Sequence, residues 1–365
     1  MYLIIKNIYY NIINICKIDL YITVALLILY IINILIQYSA SNQDINRFTN
    51  DVIYIILSIG IFFFISNLNI NQLKNIAIPL YIISIVLLLL ILLIGINING
   101  ATRWINIGIR IQPSEIAKLS IPLFFAYYCA KKSTKIIVID YIILGSILLI
   151  TTTLIAKQPD LGTAILVFLS GFFILFFAGL SSRFIFIIIA LLLLSTPLIW
   201  HHLHEYQQHR ILTLLNPQSD PLGKGYHIIQ GMIAIGSGGF WGNGYLNGTQ
   251  THLNFTPEKH TDFVATVIAE EFGFLGIMFI VILYFILINR GINIMKHSKD
   301  IFCYLLSGSI VTSLACYIII NMGMVAGILP VVGIPLPFIS YGGTTTIILT
   351  INIAILIAIK EHNKY

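Results

Sequence analysis

Charge is what this 365-residue chain has least of: Asp, Glu, Lys and Arg together make up 9% of it. An average soluble domain carries roughly 25%, so a soluble globular fold is excluded. Cysteine is almost as scarce. Cys16, Cys129, Cys303 and Cys316 lie in or beside apolar runs, and none forms a CxxC pair. That excludes a disulfide framework or a zinc ribbon and leaves them as packing residues. The glycine-dense GSGGFWGNGYLNGT at 236–249 lacks the Gly-Lys-Ser/Thr ending of a nucleotide-binding P-loop. There is no 20–50-residue repeat and no soluble domain boundary, so 1–365 reads as a single transmembrane domain. No small-residue cleavage site follows the first apolar run, and residues from about 20 onward read as a retained span rather than a removed signal peptide.

What is present is apolar. The hydrophobic fraction is 58% and the mean hydropathy +0.95. Runs of about 20 residues recur, each sufficient to cross a hydrocarbon core of roughly 30 Å. The expected fold is an all-α polytopic membrane protein with ten spans. They lie near 20–39, 52–67, 78–97, 115–130, 137–156, 161–180, 184–200, 263–288, 302–321 and 339–359. An even count puts both termini on one side. Twelve of the 20 Lys and Arg fall on that side, among them Lys74, Lys131, Lys132, Arg290 and Lys360. By the positive-inside rule that side is cytoplasmic.

Four polar islands interrupt the apolar background, at 99–119, 157–163, 201–271 and 321–343. They join spans 3 to 4, 5 to 6, 7 to 8 and 9 to 10, so all four open on the outer face. A charged group at the centre of a span costs about 2.5–3.5 kcal/mol. Gathering carboxylates, arginines and glycines at one end of the bundle therefore points to one polar site.

The first island runs through Gln112, Pro113 and Ser114 into Glu115 and Lys118, a helix start followed by an ionisable pair three residues apart on one face. That pair reads equally as a buried ion pair orienting the spans or as a charged wall of an outward cavity. Arg103 and Arg110 suit phosphate or simple solvation. In the second island Asp160 sits where a carboxylate caps a helix against its dipole. The third is one long loop, about 201–262, with room for short interfacial helices. Its HHLHEYQQH run at 201–209 matches no zinc signature. It ends in His260-Thr261-Asp262 at the mouth of span 8, followed by Glu270 and Glu271. Asp262 can be a general base or a helix cap, and the two roles are compatible. The fourth island, with Pro330, Pro335, Pro337, Gly333, Gly342 and Gly343, reads as non-helical backbone, which survives at membrane depth only against protein or water. A re-entrant loop over the cavity is expected.

Together, GATRWINIG, QPSEIAKL, QPDLGTAIL, NPQSDPLGKGYHIIQ, AIGSGG, PEKHTDF, AEEFGFLG and GILPVVGIPLPFISYGG stand in order along the chain. In this they resemble the SEDS family (shape, elongation, division and sporulation). The lysine of PEKH, the GTQ at 248–250 and PVVGIPLP at 330–337 look like its elongation branch rather than the division branch. The resemblance covers essentially the whole chain. It implies a peptidoglycan glycosyltransferase of the inner membrane, polymerising the lipid-linked disaccharide-pentapeptide on the outer face during rod-shaped growth. The partner implied is a class B penicillin-binding protein, with other elongation-complex proteins.

By position, the resemblance makes Asp262 the essential aspartate and Glu115 and Lys118 the paired cavity residues. Gln112 and Asp160 lie in the same matched strings. The pyrophosphate leaving group needs cations. Arg110, Lys118 and Arg210 are candidates, as is a divalent ion (Mg or Mn), for which the sequence shows no ligand set. The competing reading is a lipid flippase or transporter, for which paired inverted repeats are expected and none are found. A purely structural scaffold leaves the outward charges unexplained.

Overall fold

A computed structural model of the chain describes residues 19–41, 44–98, 101–106, 110–132, 136–181, 224–253 and 258–363, with isolated positions between 183 and 218. In chain order its elements are α1 (Leu20–Ala40), α2 (Ile45–Ser66), α3 (Ile70–Ile94), β1 (Ile96–Ile98), β2 (Ala101–Asn106), β3 (Arg110–Ile111), α4 (Pro113–Lys131), α5 (Val138–Ala156), α6 (Leu161–Phe177), α7 (Lys224–Gly238), α8 (Thr249–His252), α9 (Val264–Lys296), α10 (Ile301–Val325) and α11 (Gly343–His362). Nine of the ten expected spans are helices; most of the seventh, 184–200, lies outside the described residues. Seven of the helices are long and apolar enough to cross a membrane.

The few aspartates are spent largely on helix starts. Asp19, Asp44, Asp160 and Asp300 each accept a backbone N–H of the first turn, from Ile22, Asn46, Thr163 and Phe302. At α3 the Gln72 side chain reaches back to the Asn69 N–H at 2.9 Å. Such caps explain why α2 and α3 begin seven or eight residues before the expected 52 and 78. Polar residues such as Asn46, Arg47 and Asn71 occupy first turns rather than loops.

Burial sorts the helices. The most apolar windows of α10 and α11 are 56% buried, against 22% for α2 and α3, whose remaining apolar surface faces lipid. Small residues let neighbours approach closely: a Cβ on Gly308 would lie 2.8 Å from the Phe177 ring, and one on Gly291 2.4 Å from Val311. At one end of the bundle Asp19 pairs with Arg290 (2.9 Å) and Lys360 (2.7 Å), and Lys74 and Lys132 pair with Asp300 and Asp140. The four islands lie at the other end.

Two features depart from an all-α reading. First, β1, β2 and β3 form a small antiparallel sheet in the first island, with Ile96 opposite Trp104 and Ile105 opposite Ile111. The sequence reason is alternation of Ile with polar residues around Asn99-Gly100, a pair favoured in tight hairpins.

Second, α9 is broken at Gly273, whose φ of 66° and ψ of −160° suit only glycine. The glycine-dense segment plugs this break. Phe274 and Leu275 donate to the Gly239 and Phe240 carbonyls (3.0 and 3.3 Å). Asn243 and Gly244 donate to the carbonyls of Glu270 and Glu271 (2.9 and 3.0 Å). A Cβ on Gly238 would stand 1.9 Å from the Ala269 oxygen, and one on Gly242 2.2 Å from that of Glu271. The glycines thus serve close backbone approach within the fold.

Candidate active site

The segment His260-Thr261-Asp262 leads into α9, and each of its three carbonyls is held from a different direction. That of His260 accepts from the Gln37 side chain of α1 (3.0 Å) and the Tyr341 N–H (2.8 Å). That of Thr261 accepts from the Ser340 hydroxyl (2.6 Å), and that of Asp262 from Asn321 of α10 (2.9 Å). Asn321 also bonds the Ile334 carbonyl, and Gln37 that of Ile339, so the fourth island is tied to the same clamps. The Asp262 carboxylate lies against Gly333, where a Cβ would come within 3.3 Å of Oδ2. Gly333 has φ of 76°, a second reason for glycine there.

The islands touch in series. Gly162, at the start of α6, packs against the Val332 carbonyl and Ile334, next to Gly333. Asp160 caps α6 and accepts from the Gln112 amide at 2.9 Å, while Arg103 approaches it at 3.9 Å and donates to the Gln158 and Pro159 carbonyls. Three residues beyond Gln112, Glu115 meets Lys118 at 2.6 Å, both buried, and the ammonium lies 5.2 Å from the centre of the Tyr317 ring. Tyr317 and Asn321 are one turn apart on α10. One face of α10 therefore meets both the Lys118 ammonium of α4, through Tyr317, and the Asp262 backbone, through Asn321, while Gln112 links the start of α4 to Asp160.

Others do not join them. Arg210 lies outside the described residues, as does most of the 201–209 run. The backbone of Arg110 is in β3, but its side chain is outside the described atoms. Glu270 is structural: its carboxylate accepts the N–H groups of Gln250 and Thr251 (2.8 and 3.0 Å) and so holds α8. Glu271 accepts from the Ser39 hydroxyl, tying the broken helix to α1.

Residues beside Asp262 are electrostatically tuned. The Lys259 ammonium donates to the Thr251 carbonyl at 2.6 Å, and burial and Arg47 push its pKa down. Burial, Arg47 and Lys259 lower His260 from 6.5 to about 4, so this imidazole is neutral at physiological pH. Sequence reading missed Asn321, Ser340 and Gln37. Asn321 opens the fourth island, but nothing in its neighbours announces a bond to a carbonyl 59 residues earlier.

Fold and site together define a polytopic helical membrane protein with an aspartate on a clamped backbone segment and a buried ion pair linked to it through α10, at one end of its bundle. The chain belongs to the FtsW/RodA/SpoVE family of cell cycle proteins, the SEDS family, whose model matches residues 12–365. It is 43% identical over 348 residues to the peptidoglycan glycosyltransferase MrdB of Escherichia coli, covering 93% of this chain and 92% of that one. A chain of a peptidoglycan synthase complex, solved for the structural coordination of polymerization and crosslinking, superposes with a TM-score of 0.82 at 30% identity (94% and 98% coverage). The rod shape determining protein RodA of Thermus thermophilus superposes with a TM-score of 0.72 at 25% identity (95% and 98% coverage).

Proposed function

We propose that the chain is a peptidoglycan glycosyltransferase that polymerises a polyprenyl-pyrophosphate-linked disaccharide-pentapeptide during rod-shaped growth, with Asp262 as its general base. The observation that carries this is the clamp: three successive carbonyls fixed by α1, α10 and the fourth island set where the Asp262 side chain leaves the backbone, with its carboxylate beside Gly333. In the step itself an acceptor sugar hydroxyl attacks the anomeric carbon of the donor. Its proton passes to Asp262, and the bond from that carbon to the pyrophosphate oxygen breaks. A positioned base contributes about 10²- to 10⁴-fold. Lys118 and Arg103 are the described cations able to face the departing pyrophosphate; Arg110 and Arg210 are further candidates by sequence. Gln112, Asp160 and Glu115 orient these cations and the substrate.

Asp160 is engaged by the Gln112 amide and approached by Arg103, and Glu115 Oε1 by Lys118, while Glu115 Oε2 is buried without a hydrogen-bond partner among the described residues. A divalent ion held by these carboxylates would offset charge on the departing pyrophosphate, and no step is routed through it.

Separation of the two faces follows from length. Asn321, which holds Asp262, lies 20 residues along α10 from Ile301, about 30 Å at 1.5 Å per residue. The site is thus a bilayer thickness from the basic pairs at the other end, and with the bias of Lys and Arg to that end this supports cytoplasmic termini and an extracytoplasmic site in the inner membrane. A class B penicillin-binding protein is the proposed partner, by analogy with the synthase complex.

The test is polymerisation of labelled lipid-linked precursor by purified protein with its partner. Asp262→Ala is expected to fold and give no polymer. Polymer at undiminished rate would remove Asp262 from the mechanism, and precursor crossing vesicles without polymer would favour a flippase.

A further inference from the structure

Below Lys118 the bundle encloses a cavity between α4, α6, α10 and α11, lined in part by Lys118, Pro122, Ser309, Ser313, Tyr317 and Asn352. Its free volume is about 10 Å³, room for a single water. Its walls are largely apolar but carry polar groups that need a partner. The Ser313 hydroxyl and the Asn352 amide oxygen are both buried and have no hydrogen-bond partner among the described residues. A third acceptor is the Lys118 carbonyl. Pro122, four residues further along α4, has no N–H to give it. Tyr317 lines the cavity and also faces the Lys118 ammonium, so cavity and ammonium share a wall.

We propose that this cavity holds one ordered water, which donates to the Asn352 amide oxygen and the Lys118 carbonyl and accepts from the Ser313 hydroxyl. Ser313 and Asn352 are thereby positioning residues for Lys118. The proline loosens α4 at the turn that carries Lys118, and ordered water is the usual way such freed backbone groups are satisfied in a membrane. Tying that turn to α10 and α11 fixes how far the ammonium stands from the Asn321–Asp262 clamp, one turn along α10. The hydration is independent of function. The positioning role rests on the proposed part of Lys118 in the reaction.

Radiolytic hydroxyl labelling of the full-length protein, read by mass spectrometry, tests the water directly, because radicals form where water is bound. Leu166 and Ile310 line the cavity and are 3% and 4% exposed. They are expected to label above the equally buried Leu148 and Leu305, at 2% and 1%, and to lose that excess in Asn352→Leu. Labelling no higher than at the two controls overturns the proposal. In the polymerisation assay Ser313→Ala and Asn352→Leu are each expected to lower kcat about tenfold at unchanged KM, while Ser313→Thr, which keeps the hydroxyl, stays near wild type. An equal loss in Ser313→Thr and Ser313→Ala means packing alone and overturns the positioning role, as does full activity in Lys118→Met. If Asn352→Leu fails to fold, the Ser313 pair carries the test.

Discussion

At Asp262 the position was legible before the structure: a carboxylate directly before an apolar run is placed at a helix mouth. Its supports were not, because Gln37, Asn321 and Ser340 come from three other parts of the chain and none sits in a motif that names its partner. Asp262→Asn keeps the size of the side chain and removes its basicity, so polymer formation should drop at least about 10²-fold with an unchanged melting temperature. Glu115 and Lys118 are both buried, at 5% and 6% side-chain exposure. Losing one partner leaves the other charge unpaired. Glu115→Ala should cost about 3–5 kcal/mol, and Glu115→Leu combined with Lys118→Met distinctly less, by thermal unfolding in detergent.

His260 gives a pH dependence with a definite sign. Its folded pKa, about 4, lies below the ordinary 6.5 because burial, Arg47 and Lys259 oppose the charged form. Its contribution is complete above pH 6.5 and is lost as pH falls towards 4, where the unfolded chain binds the proton first. Melting temperature measured from pH 7 to 4 should therefore fall less steeply in His260→Gln than in the wild type.

At the scale of elements, periodicity and caps located the helices well, and the glycine-dense segment shows where such reading ends. Its composition excluded a P-loop but could not reveal that it fills the break in α9, because backbone-to-backbone bonds leave no side-chain signature. Gly273→Ala meets both a glycine-only conformation and the Gly242 nitrogen, 2.4 Å from the new Cβ. It should destabilise the protein by at least about 1–3 kcal/mol, seen as a lower melting temperature and as protease cleavage between 238 and 249. The three-strand sheet escaped notice for a related reason: strands of two to six residues are too short to separate from loop by pattern.

For the molecule as a whole, span parity and basic-residue bias are the grounds for the proposed outer placement of the islands. In a variant with its four cysteines replaced, a cysteine at Asn243 should react with a membrane-impermeant maleimide in intact cells or spheroplasts. One at Asn67, beyond the inner end of α2, should react only after permeabilisation. The reverse pattern would invert the proposed orientation and move the site to the cytoplasmic face.

By itself the sequence determined the solvent, the rough limits of nine of the expected spans and the family. Each of these follows from hydrophobic run length, charge placement or contiguous motifs, which are local quantities. Only the tertiary structure decided that the four islands converge, that α10 touches both the ion pair of α4 and the backbone of Asp262, and that Glu270 builds a loop. Those outcomes depend on hydrogen bonds between residues tens to hundreds of positions apart, which form only once the helices pack.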